Sequence, residues 1–99
     1  MPEHPLKPIE NLDPQLFNLV QQTRQLVFSD GALPRKFKFL IAMAFDAAHG
    51  KIEGTKSLAT SAMEAGATKQ EIAEVLRVAS YSAGVGALHT AARALKELS

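Results

Sequence analysis

Cysteine is missing from all 99 positions, and that one absence removes more chemistry than any other feature of the chain. Without a thiol the chain can form no disulfide, offer no thiolate to a metal and reduce no peroxide with its own sulfur. Redox grounds therefore leave the compartment open. An excess of one charge is lacking too: eleven Lys and Arg stand against ten Asp and Glu, and no basic block alternates with aromatics, which argues against a nucleic-acid surface. The apolar run from Phe37 to Ala48 is too short for a membrane span and contains Lys38 and Asp46, so it reads as a segment buried inside protein. The opening MPEHPLKPIENLDP has neither the basic nor the apolar region of a secretory signal, and cytoplasmic residence is the expectation. His4, His49 and His89 are scattered, with no acidic cluster to complete a metal set, so neither a metal nor another cofactor is expected.

What is present is helical punctuation. The length suits one domain. Residues 1–12 are proline-rich and aperiodic, which predicts an extended arm ahead of a single helical domain over 13–99. Asp13-Pro14 reads as an N-cap with proline at the first helical position, opening an outer helix half-buried through Phe17, Val20 and Val27, with Leu16 or Leu19 beside them. Pro34 opens a second helix that runs to about His49, with Gly50 as its left-handed terminator. The third begins either at Lys51, with Gly54 inside it, or at Thr55 as the cap. Thr68-Lys69-Gln70-Glu71 is a capping box ahead of Ile72, Val75, Leu76 and Ala79. Val85, Leu88, Ala91, Ala92, Leu95 and Leu98 give a last amphipathic face. Five helices and no strand are predicted.

The second helix carries the oligomer argument. Phe37, Phe39, Leu40, Ile41, Met43 and Phe45, with alanines between them, make it apolar almost all the way round, and such a helix must be covered on every side. Four neighbours from one short chain cover two or three of those sides. A homo-oligomer is the expectation.

GALPRKFKFLIAMA, then a helix break, then SAMEAGATKQEIAEVLRVASYSAG resembles the carboxymuconolactone decarboxylase family, which includes the alkylhydroperoxidase D-like (AhpD-like) proteins. The resemblance spans roughly residues 30–95 and is most specific in AGATKQEIAEVLRVA. It implies an all-α, AhpD-like bundle assembled as a trimer or hexamer, and an activity that is either thiol peroxidase or cofactor-free decarboxylase. The redox branch uses a glutamate, a C-x-x-C pair and a histidine. Counted back from Ala65-Gly66-Ala67, those positions fall on Phe39, Lys51, Gly54 and Leu58, and the histidine of the decarboxylase branch falls on Leu58 as well. None of these groups is present, so neither activity carries over residue by residue.

The residues that crowd the helix break are nevertheless polar. His49, Lys51, Glu53 and Lys56 surround it, and free amides at a helix start beside a lysine and a histidine suit a carboxylate or phosphate. The plainer alternatives are that Lys51 pairs with Glu53 or Asp46 and that His49 is a helix C-cap. Tyr81 and His89 are the titratable aromatic groups of the last two helices; Tyr81 reads first as a core residue with its hydroxyl tied to a carbonyl. Ser80 and Ser82 have no positioned base, and Gly84-Val85-Gly86 follows no strand, so neither marks a site. Two functions remain open. One is a cofactor-free lyase or binder of a small carboxylic acid, using Lys51, Glu53 and Lys56 for binding and His49, Lys51, Tyr81 or His89 for proton transfer. The other is a non-catalytic oligomeric binding or structural protein.

Overall fold

Thr68 and Glu71 close the expected capping box: the Glu71 amide donates to Thr68 Oγ1 over 3.0 Å and the Thr68 amide to Glu71 Oε1 over 2.9 Å. The helix they start belongs to a computed structural model that describes residues 5–98. In chain order the helices are α1 (Lys7–Leu12), α2 (Pro14–Val27), α3 (Arg35–Ala48), α4 (Ile52–Glu64), α5 (Lys69–Ala83) and α6 (Gly86–Ala94). The class is all-α, as read from the sequence, with six helices among the described residues where five were predicted. None of them is long and apolar enough to cross a membrane.

The added helix is α1, and it corrects the expectation of an extended arm. Pro8 falls in its first turn, where a missing N–H leaves no bond unmade and the fixed φ already suits a helix. Lys7 Nζ then meets Glu10 Oε1 at 2.8 Å, a pair that the helical spacing brings together. Residues 1–4 of the predicted arm lie outside the described residues. Asp13 caps α2 by accepting from the Leu16 amide at 3.0 Å, with Pro14 just inside, as predicted.

α3 is the element the others surround. Leu40, Met43 and Ala47 are buried along it, and it meets α4, α5 and α6. Leu40 and Met43 join Ala59, Ala62 and Ile72 in the main core, onto which Phe39, Leu58, Leu76 and Leu95 pack. Ala47, Ala79 and Ala87 form a second knot, where small side chains let α3, α5 and α6 approach. Phe37, Ile41 and Phe45 lie one helical turn apart on α3 and remain exposed.

α2 stands off from this body. It packs chiefly on α1 and has no fully buried residue. Its foot is tied down by Phe28, stacked on Phe39 with centroids 4.6 Å apart, and by Lys38 Nζ donating to Ser29 O at 2.7 Å. The half-buried face is narrower than predicted: Phe17 and Val20 keep to it, whereas Leu16, Leu19 and Val27 are exposed.

Lys36 Nζ reaches Glu71 Oε2 at 3.0 Å and so fastens the start of α3 to the start of α5. The Thr68 backbone amide, and after it Lys36, hold the Glu71 carboxyl below its ordinary 4.5. A carboxyl whose folded pKa is depressed adds stability above its unfolded pKa and loses that contribution as the pH falls through the folded value. The fold should therefore weaken as the pH drops below 4.5, and Glu71→Gln should flatten part of that decline. Urea midpoints of both proteins at about pH 6 and about pH 3.5 measure the difference, and equal declines in the two would remove Glu71 from the account.

Candidate functional site

The break between α3 and α4 is short, and local preferences build it. His49 takes the C-cap of α3, and Gly50 follows at φ +74°, the left-handed turn expected of it. The Lys51 amide then donates to Asp46 O at 2.9 Å, and Lys51 becomes the N-cap of α4 in extended backbone. Of the two starts left open by the sequence, α4 takes the earlier one, with Gly54 inside the helix. The reason lies across the break: a Cβ at position 54 would run into the Asp46 carboxylate. Thr55, fully buried, sits within α4 instead of capping it, and its hydroxyl donates to Lys51 O at 2.7 Å.

His49 Nδ1 lies 2.7 Å from Phe45 O. A carbonyl oxygen only accepts, so Nδ1 carries a proton; Nε2 is an acceptor in the neutral ring and a donor in the protonated one. Lys51 is exposed, and among the described residues neither Glu53 nor Asp46 forms an ion pair with it. Glu53 and Lys56 follow on the exposed side of α4; Lys56 Nζ stands 4.0 Å from Glu97 Oε1, a solvated pair of little energetic weight. Tyr81 corrects the expectation of a core residue, since it is 92% exposed on α5. His89 is exposed on α6. The structure thus keeps His49, Lys51, Glu53 and Lys56 at one break and leaves Tyr81 and His89 on other helices.

A hollow opens beside His49. It is a groove of about 490 Å³ between α3 and α5. Ile41 and Phe45 supply bulk on one side, Val75 and Val78 on the other, while Ala44 and Ala48 of α3 and Ala79 and Ala83 of α5 leave the space between. His49 is the one titratable residue lining it, and Ser82 is the other polar one. Sequence reasoning missed this groove. Its signal was two alanine pairs at i, i+4, each flanked by larger apolar residues on the same helix.

Phe39 and Leu58, where the resemblance calls for a glutamate and a histidine, both pack against the main core. The sequence profile of the carboxymuconolactone decarboxylase family matches residues 14–97. The chain belongs to that family. The crystal structure of apo-lpg0406, a carboxymuconolactone decarboxylase family protein from Legionella pneumophila, superposes with a TM-score of 0.86 at 32% identity, covering 92% of this chain and 81% of that one. The uncharacterized protein MJ0742 of Methanocaldococcus jannaschii is 30% identical over 94 residues, which is 94% of this chain and 90% of that protein. Within the carboxymuconolactone decarboxylase family this is a member without cysteine, in which Phe39 and Leu58 are packing residues.

Proposed function

We propose that this carboxymuconolactone decarboxylase family member is a homo-oligomeric binding protein that takes a small organic acid in the α3/α5 groove beside His49, with no thiol chemistry of its own. The observation that carries the reading is a groove with almost wholly apolar walls and a single titratable lining residue. Its volume of about 490 Å³ lies within the range of small-molecule sites. Apolar walls favour an apolar body by about 25 cal/mol for each Å² removed from water. An acid group at the same end accepts from Nε2 of the protonated His49 ring, with the cation of Lys51, which forms no ion pair among the described residues, two residues further along the break. Benzoate is a fitting probe. Titration calorimetry should show binding to the native protein and a loss of about tenfold or more in His49→Ala, the weight of about one charge-assisted hydrogen bond. No binding by the native protein, or equal binding by the variant, would contradict the reading.

A cofactor-free lyase is the second reading, favoured by the same Nε2, which in the protonated ring is placed to deliver the proton that replaces carbon dioxide on the acid's carbon. Carbon dioxide released from a bound acid separates the two readings, because a pure binder returns its ligand unchanged.

The homo-oligomer is supported by the surface that one chain leaves open. Phe45 is 62% exposed and Val78 64%, on either side of the groove. The chain exposes 6967 Å², whereas a folded monomer of 10.7 kDa exposes about 5,500 Å². The five residues outside the described part account for at most about 800 Å² of the difference at the unfolded-chain rate. What is left over is comparable with the roughly 800 Å² that each partner buries in a stable interface. The radius of gyration, 14.3 Å, likewise exceeds the roughly 12.6 Å of a compact chain of this length. Three or six copies is the assembly that the family resemblance implies.

A further inference from the structure

We infer that the groove is completed by a second copy: α2 of one chain lies across the α3/α5 groove of the next, so that the site at His49 is walled by two chains. This rests on the homo-oligomeric reading above.

Two unlike apolar surfaces in the same chain carry the inference. The first is a ridge. α2 turns Phe17 and Val20 to one side, where they are half-buried, and presents Leu16, Leu19, Thr23 and Leu26 on another, where Leu26 reaches 76% exposure. Steps of three, four and three are the spacing of a seam meant for another surface. Thr23 adds no unsatisfied group to that seam, because its hydroxyl already donates to Leu19 O at 2.9 Å. The second surface is the groove, concave and lined by no Asp, Glu, Lys or Arg.

A convex apolar helix and a concave apolar groove fit one another, as amphipathic helices fit grooves generally. The self-matched alternatives fit less well. Groove against groove encloses two facing hollows, which dense packing disfavours, and ridge against ridge leaves both grooves open. Ridge into groove pairs different surfaces, and such a head-to-tail contact closes into a ring when the rotation allows. Large residues beside the groove, Phe45 and Val78, receive the incoming helix, while the alanine-lined space beneath stays free for the ligand.

The absence of cysteine makes the test clean, since every crosslink reports an introduced thiol. Leu19→Cys and Val78→Cys are made singly and together, at two exposed positions. Each is treated with a short bismaleimide, which tolerates an error of about one turn in register, and run on a denaturing gel. The double variant should move mostly into a ladder at two and more chain masses, while each single variant stays at one. Self-crosslinking of either single variant overturns the inference, and so does an uncrosslinked double variant that light scattering still finds assembled. A double variant and native protein that are both monomeric would instead overturn the homo-oligomer itself.

Discussion

Phe45→Glu should leave each chain folded and take the assembly apart. In one chain the Phe45 ring is 62% exposed, so a carboxylate there stays in water and costs the isolated fold little. Covered by a neighbour, the same carboxylate would be buried among Ile41, Val75 and Val78 with no Lys or Arg lining the groove to meet it. An uncompensated charge in such a place costs about 3–5 kcal/mol, which is about two to four powers of ten in the dissociation constant. Sedimentation velocity of native protein and variant at equal concentration reads this directly, with far-ultraviolet circular dichroism as the control for folding. An unchanged sedimentation coefficient would show that this face of α3 is not covered by another chain.

The second large effect lies two residues earlier on the same helix, at Met43, which has no exposed surface. Met43→Ala removes most of a core side chain between α3 and its neighbours and should lower the unfolding free energy by about 2–5 kcal/mol. Domains are stable by only about 5–15 kcal/mol in total, so this one truncation should remove a large share of the stability. Ile41→Ala is the informative companion. Ile41 is exposed in the single chain, and the monomer loses little with its truncation. Urea unfolding at low and high protein concentration distinguishes the two: the Met43 loss should be the same at both, while the Ile41 loss should grow with concentration as assembly covers it. A concentration-independent Ile41 effect would place that residue outside any interface.

The helical class and most helix starts were legible because they are set locally. Asp13-Pro14 and Thr68 with Glu71 each satisfy or remove amides of the first turn, and the chain obeys them. α1 is not legible in the proline-rich, aperiodic run of residues 1–12, although proline in a first turn, as Pro8 is, suits a helix. The start of α4 stayed ambiguous because the reason for Gly54 is the Asp46 carboxylate on the preceding helix, a contact no local pattern carries. Tyr81 was more legible than the reading allowed. It stands nine residues beyond buried Ile72, about two and a half turns, which puts it on the opposite face of α5.

At the site the balance differs. The break, its His49 cap and its Gly50 turn follow from residue type. The groove does not, because two helices far apart in sequence contribute alanines whose importance lies in what they fail to fill. That is a property of packing, visible only once α3 and α5 are side by side. The resemblance to the family implies a glutamate and a histidine at positions 39 and 58, and in the structure Phe39 and Leu58 pack against the main core.

The account turns on α3, whose apolar surface exceeds what its own chain covers. Multi-angle light scattering of the native protein at micromolar concentration tests this most directly. The account predicts a single species at three or six times 10.7 kDa; a species of 10.7 kDa that persists as the concentration rises would contradict it.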